Sequence, residues 1–552
     1  MATFLYKLGK LAFRRRHFVA LIWVALLTLA GVGAASAPTA ASSSFSIPGT
    51  EAQKAFDLLD QRFPGSSADG ATARVVFQAP DGEKITSAAN KAEVTKTVAE
   101  LKSGSKEVAA AADPFVAKTV SKDGTIAYSS VSYKVSSMEL TDTDRDALQK
   151  TVDEARDSGL TVEVGGDALQ AMPETGATEI IGVAIAAVVL VITFGSLVAA
   201  GLPLLTALIG VGIGVSSITA LANALDLGTT TSTLAMMIGL AVGIDYALFI
   251  VSRFRAELAE GRDREEAAGR AVGTAGSAVV FAGLTVVIAL VGLAVVNIPM
   301  LTKMGIAAAG TVAIAVLIAL TLIPALLGYA GKRVHGRKAR KVLAAEEKPE
   351  PKTNMGTRWA RFVLRRPVAV LLTAVVGLGV MAVPVSSLEL GLPDDGVQPT
   401  DTTQRKAYDL LSEGFGPGFN GPLVAVVDVK HSQDPKDAVD RVSKDIAATD
   451  GVKTVTPPAF NQAGDTATIT VVPSSKPSST QTEDVVHTIR DKGADIKADT
   501  RAEVLVTGTT AMNIDVSQKL NDALVPYLAL VVGLAFLLLM VVFRSVLVPL
   551  KA

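Results

Sequence analysis

The chain alternates between long apolar runs and two long polar segments. Apolar stretches occupy residues 18–35, 180–198, 201–221, 232–251, 272–296, 305–329, 368–385 and 524–543. Each is close to the roughly 20 residues that cross a bilayer core, so eight membrane-spanning helices are expected. The polar segments run from 38 to 178 and from 386 to 521. In the first, 72–79 reads as a strand, 87–101 as a helix, and 125–135 as a strand entered from the Asp123-Gly124 turn. A helix over 141–157, with Thr141 or Thr143 as N-cap, and a strand over 160–164 complete it. The second segment repeats the order at 423–429, 435–448, 466–472, 481–496 and 502–506. This succession predicts a split β-α-β arrangement of ferredoxin-like type in both.

An internal repeat organises the whole. KAFDLLDQRFPG, starting at Lys54, recurs as KAYDLLSEGFGPG from Lys406. VEVGG (162–166) recurs as VLVTG (504–508), and FGSL (194–197) as FRSV (543–546). Arg15-Arg16 before the first span recurs as Arg365-Arg366 before the seventh. All four offsets are about 350 residues, long enough to be a duplicated half rather than a solenoid unit. The first half continues past Phe194 with four more spans, whereas the second stops at Ala552. The second half therefore reads as incomplete, and the chain as a fragment or truncation of a protein of roughly twelve spans.

Charge adds orientation. Lys7, Lys10 and Arg14–Arg16 precede span one; Arg253, Arg255, Arg262, Arg264 and Arg270 follow span four. A third cluster, from Lys332 to Arg366, follows span six. Positive residues favour the cytoplasmic side. The expected division is a cytoplasmic N-terminus and first span (1–37), an exterior domain (38–178), spans two to six (179–330) and a cytoplasmic basic linker (331–366). Span seven (367–386), a second exterior domain (387–522) and span eight with the truncated end (523–552) follow. A cleaved signal peptide ending at Ala35-Ser36-Ala37 is the alternative for the N-terminus; the repeat, which includes this span, argues against it.

Composition narrows the function classes. The 552 residues are 49% hydrophobic with a mean hydropathy of +0.41 and a net charge of −1. That balance fits a polytopic membrane protein and gives no basic surface for nucleic acid. The chain has no cysteine, which excludes disulfides, thiolate catalysis and cysteine-held zinc. His17, His335, His431 and His487 show no metal-ligand spacing. No nucleophile motif or G-x-x-x-x-G-K-[ST] phosphate loop occurs, so no cofactor, metal or enzyme activity is expected.

Within span four, GLAVGIDYALFIVSRFR (239–255), stands Asp245. It lies eight residues before Arg253, about 12 Å along a helix, against a hydrocarbon half-thickness of about 15 Å. A carboxyl near the midplane has two states of unequal cost, and such residues serve as proton relays. Tyr246 follows it as a hydrogen-bonding neighbour, Gly239 and Gly243 have the small-xxx-small spacing of close helix packing, and Ser277 and Thr285 on span five are candidate relay partners. The alternatives are plainer: a structural polar contact for Asp245, ordinary ring packing for Tyr246, and helix-packing roles for Ser277 and Thr285. The Arg253–Arg270 run reads as a topology anchor and surface helix, and Asp226 as a solvated residue of an exterior loop.

GIDYALFIVSRFRAEL (243–258), the FGSLVAAGLPLL turn (194–205), the duplicated domains and the span order resemble the MMPL family. These are mycobacterial-type large membrane proteins of the resistance–nodulation–division superfamily. The resemblance implies proton-driven export of lipids or other hydrophobic molecules to the cell envelope, with the exterior domains as substrate-collecting porter domains. It implies that an Asp-Tyr pair on span four, here Asp245 and Tyr246, works with an equivalent pair on span ten, beyond the end of this chain. Membrane lipids and a hydrophobic substrate are then the partners, with a homo-oligomer and envelope proteins left open. Multidrug efflux and a non-transporting envelope scaffold are the competing functions; a scaffold has no use for Asp245.

Overall fold

In a computed structural model the fold is described for residues 2–38, 46–63, 70–137, 139–169, 177–334, 355–387 and 394–551. Residues 335–354 of the basic linker lie outside the described residues.

Seven helices are long and apolar enough to cross a membrane: Arg16–Ser36, Leu197–Leu225, Thr230–Ala259, Arg264–Val296, Pro299–Ala330, Pro367–Val385 and Thr509–Val542. An eighth apolar helix, Ile180–Phe194, is shorter. The apolar run at 180–198 gives one helix ending at Phe194 and the start of the next at Leu197. Gly195 takes φ +60°, and the Ser196 hydroxyl accepts the Ala199 N–H at 3.4 Å. A hydropathy profile does not resolve a two-residue break inside an apolar run. The repeat preserves this turn: Arg544, at the position of Gly195, also adopts a left-handed conformation, φ +47°.

Three helices of the bundle meet closely at Thr311. A Cβ on Gly214 or on Gly239 would lie 2.7 Å from Thr311 Cγ2. Thr311 therefore wedges between helices Leu197–Leu225 and Thr229–Ala259, with its hydroxyl turned to its own helix at the Ala307 carbonyl, 3.2 Å away. Close backbone approach at small residues is how membrane helices gain dispersion contacts when lipid is as apolar as the core.

The first polar segment forms a four-stranded antiparallel sheet of β1 (Thr72–Gln78), β2 (Val108–Ala111), β3 (Ile126–Tyr133) and β4 (Thr161–Gly165). The strand order is β2-β3-β1-β4. Helices Ala88–Gly104 and Asp142–Asp157 connect the strands. Thr141 is the N-cap of the latter and forms a reciprocal capping box with Asp144. The second segment repeats the path with β5 (Leu423–Asp428), β6 (Val452–Val455), β8 (Thr466–Pro473) and β9 (Glu503–Thr507) in the order β6-β8-β5-β9. A two-residue strand β7 (Ala459–Phe460) is added on β8. Each fourth strand ends at a glycine with near-identical backbone, Gly166 at φ +101° and Gly508 at φ +100°. A side chain at Gly166 would meet the Thr72 carbonyl at 2.5 Å.

The two halves exchange a helix. Helix Glu51–Arg62 of the first half packs on β9 and β5 of the second sheet, and helix Thr403–Phe415 of the second packs on β4, β1 and β3 of the first. The exchange is sealed by polar contacts. Asp515 is 5% exposed and accepts the Ala52 N–H at 3.0 Å and Arg490 Nη1 at 2.6 Å. Arg490 Nε also lies 3.3 Å from Glu51. On the other side Thr403 Oγ1 donates to Glu163 at 2.6 Å and accepts the Val164 N–H at 2.8 Å, while Arg156 pairs with Glu163 at 2.7 Å. Arg74 in β1 donates to the Phe419 and Asn420 carbonyls, both at 3.1 Å. Burial pulls its guanidinium below the ordinary value, against the pull of Tyr128, Asp395 and Asp167.

Helix Thr509–Phe543 runs without interruption from β9 into the membrane-crossing segment, through the domain boundary expected near residue 522. Its first turns pack Val516 and Ala523 against Val296, Ile298 and Ile47 at the ends of the first-half helices.

Two outcomes follow from the exchange. Cβ atoms at positions 165 and 407 would lie 3.4 Å apart, near disulfide range, so Gly165→Cys with Ala407→Cys in this cysteine-free chain should form a disulfide, detected by peptide mass mapping. Its absence under oxidising conditions would show that the Thr403 helix stays on its own half. Asp515→Ala removes a partner from a buried arginine and should destabilise the extramembrane unit by about 3 kcal/mol, read as earlier proteolysis in a temperature series.

Candidate functional site

Helix Thr229–Ala259 has two opposed stripes. The inward one carries Ala235, Gly239, Gly243, Tyr246, Ala247, Ile250, Phe254 and Glu257, all buried. A Cβ on Gly243 would lie 3.1 Å from both Cα and Cβ of Ala207, so the glycine lets two backbones touch. Tyr246 is 5% exposed, and its ring lies against Gly283 of the next helix, where a Cβ would be 3.5 Å from Tyr246 Cε2. The outward stripe carries Met237, Ala241, Asp245, Phe249, Ser252 and Ala256, all exposed. Asp245 and Tyr246 thus lie on different faces of one helix. Among the described residues Asp245 makes no hydrogen bond or ion pair.

The two candidate partners turn elsewhere. Ser277 Oγ donates to the Thr274 carbonyl at 2.7 Å and to the Gly273 carbonyl at 3.2 Å, and Thr285 Oγ1 to the Phe281 carbonyl at 2.9 Å. Each satisfies its hydroxyl on its own helix, the usual arrangement for such residues in apolar surroundings.

The basic end of the bundle holds a cluster that the spacing of arginines did not reveal. Glu257 is 1% exposed, pairs with Arg253 at 2.6 Å and is also bonded by Arg262. Arg255 lies over the Phe194 ring at 5.1 Å, which ties the helix to the Gly195 turn. Arg16 donates to the Gly328 carbonyl at 2.8 Å and Ser196 to the Arg333 carbonyl at 3.1 Å. Arg253, Arg255 and Arg262, read from sequence as anchors at the membrane surface, therefore also clamp helix ends. The signal was Glu257 itself, an acid one helical turn beyond Arg253 and on the same face. Among the described residues no group of three or more His, Asp or Glu is placed to hold a metal.

The sequence profile of the MMPL family matches residues 44–370 and 397–551. The chain belongs to the MMPL family. Membrane protein YdfJ of Bacillus subtilis (strain 168) is 44% identical over 554 residues, covering 100% of this chain and 75% of that protein. The mycolic acid-containing lipids exporter MmpL11 of Mycolicibacterium smegmatis is 31% identical over 376 residues, 66% of this chain and 38% of its own length. The trehalose monomycolate exporter MmpL3 of Mycobacterium tuberculosis (strain CDC 1551 / Oshkosh) is 26% identical over 589 residues, 99% of this chain and 62% of its own length. The MMPL chain is a multi-pass membrane protein, and its relatives include lipid exporters.

The opposed stripes can be separated experimentally. Gly243→Leu should destabilise the detergent-solubilised protein by about 1–3 kcal/mol through overpacking. Ala241→Leu, on the outward stripe, should change stability by no more than about 0.5 kcal/mol. Equal melting shifts for the two variants would contradict this assignment of faces.

Proposed function

We propose that this MMPL protein exports lipids or other hydrophobic molecules towards the cell envelope, driven by protons carried on Asp245. The observation that supports this most is the placing of that carboxyl. It is the one acid among the outward residues 237, 241, 245, 249, 252 and 256 of a 31-residue helix, midway between its ends. An ionised carboxylate facing hydrocarbon costs at least about 2.5 kcal/mol, whereas a protonated one is tolerated. Alternation between the two is a way to couple proton movement to a change of helix packing. Each proton crossing supplies about 2.3 kcal/mol per 100 mV, plus the pH term.

Tyr246 acts from the inward face, holding its helix against Gly283, and so sets the position from which Asp245 is presented. Gly239 and Gly243 fix the spacing to the neighbouring helices. Ser277 and Thr285, bonded to their own helix, serve packing and have no part in the relay. The two sheets lie on the exterior side as porter domains, with the basic clusters inside, in keeping with the positive-inside rule. The lipid-exporting relatives support a lipid-like substrate.

The test is export by the intact protein in vesicles with an imposed pH gradient. Asp245→Asn keeps size and hydrogen bonding but cannot carry a proton. It should abolish gradient-dependent export while leaving expression and melting temperature unchanged. Tyr246→Phe should reduce export less. Undiminished export by Asp245→Asn would leave Asp245 as a structural polar residue.

A further inference from the structure

Two amphipathic helices stand at equivalent places in the repeat. Ala2–Arg14 precedes the first span and Met355–Arg365 the seventh, aligned by Arg15-Arg16 and Arg365-Arg366. The first is docked on protein. Leu5, Gly9 and Ala12 are buried, and a Cβ on Gly9 would lie 2.8 Å from Val272 Cβ. Tyr6 donates to Glu266 at 2.6 Å, Lys10 to Glu266 at 3.1 Å and Arg14 to Glu265 at 2.7 Å.

The second helix does not carry most of the residues that make that docking, although Met355 at the position of Leu5 is still apolar. At the positions of Gly9 and Ala12 it carries Trp359 and Phe362, which forbid the same backbone approach. At the positions of Tyr6, Lys10 and Arg14 it carries Gly356, Ala360 and Leu364, which cannot bond an acidic pair. It has gained a different pattern. Arg358, Arg361 and Arg365 share one face, and Trp359, Phe362 and Val363 the adjoining one, at the 3.6-residue period. Trp359 is 63% and Phe362 48% exposed, their rings 5.7 Å apart. All three arginines are exposed, and among the described residues no ion pair or side-chain hydrogen bond engages them. The helix continues, after the single residue Arg366, into the apolar helix Pro367–Ala382. A covalent link to a span holds it at the level where the bilayer meets water.

We propose that Met355–Arg365 is a lipid-binding helix that lies in the membrane interface and recruits anionic phospholipid headgroups. Trp359 and Phe362 enter the acyl boundary, where amphipathic rings are favoured, and Arg358, Arg361 and Arg365 bind phosphate. Arginine suits this, since its planar fork pairs with phosphate in a bidentate way.

The chain's tryptophan content makes the test direct, since Trp23 and Trp359 are its only two. Trp23→Phe leaves Trp359 as the sole reporter, and Thr321, the partner of Trp23, keeps its bond to the Leu317 carbonyl. The intact variant is placed in nanodiscs containing brominated phosphatidylglycerol or brominated phosphatidylcholine at equal mole fraction. Trp359 fluorescence should be quenched by both, and more strongly by the brominated anionic lipid. The attraction of each arginine to an anionic leaflet is worth roughly a fivefold change in binding and is screened by salt, so the preference should fall at high salt and vanish in Arg358→Gln/Arg361→Gln/Arg365→Gln. Equal quenching by the two lipids in the parent would overturn the headgroup preference. Quenching by neither would show that protein covers the helix, and would overturn the proposal entirely.

Discussion

Thr311 sets the geometry on which the membrane part of this chain depends. Its methyl group fills the space left by two missing side chains, those of Gly214 and Gly239, and so brings three helices to one point. The polar groups buried there, the Thr206 and Thr311 hydroxyls, bond to their own helix backbone. Gly243 against Ala207 extends the same closure by one turn. Once the glycine stripe faces inward, the 100° step of the helix leaves Asp245 on the far side. Asp245 faces away from these helices because the packing of its neighbours turns it there.

The extramembrane units obey a different constraint. Each sheet takes a helix from the other half, so neither completes its core alone: Ala52 belongs to the apolar cluster of the second sheet, and Ala407 and Leu411 pack with Val76 and Ile126 of the first. Arg490, Asp515 and Glu51 on one side, and Arg156, Glu163 and Thr403 on the other, are polar groups at the two seams. Buried ionic groups add little net stability over apolar ones, but they penalise any pairing that leaves one of them alone. That favours the exchanged arrangement over each helix folding back on its own sheet.

Much of this was legible in the chain because long apolar runs and turn residues speak plainly. The paired Val-Gly-Gly and Val-Thr-Gly motifs mark equivalent strand ends, and Thr141 marks its helix start. The strands Val108–Ala111 and Val452–Val455 were not foreseen, since four residues carry little periodicity and alanine is a poor strand former. The helix exchange was hidden for a deeper reason: an amphipathic face announces that a helix docks, not on which sheet. The start of helix Thr509–Phe543 was masked by Asp515, Lys519 and Asp522, which interrupt hydropathy without interrupting the backbone. In the near-uniformly apolar span four, no moment indicated which way Asp245 points.

That last helix behaves as a lever. Tyr527, whose hydroxyl donates to the Ala289 carbonyl at 3.3 Å and whose ring lies beside Gly292, provides a fulcrum. Pro526, one residue away, removes a backbone hydrogen bond and softens the rod at that same point. From there to Thr509 is about 27 Å of helix, so each degree of tilt displaces the upper end by roughly half an ångström. Asp515 rides on that arm and grips the Ala52 amide. A tilt of the membrane segment would therefore reach, through a hydrogen bond, a helix that began about 460 residues earlier in the chain.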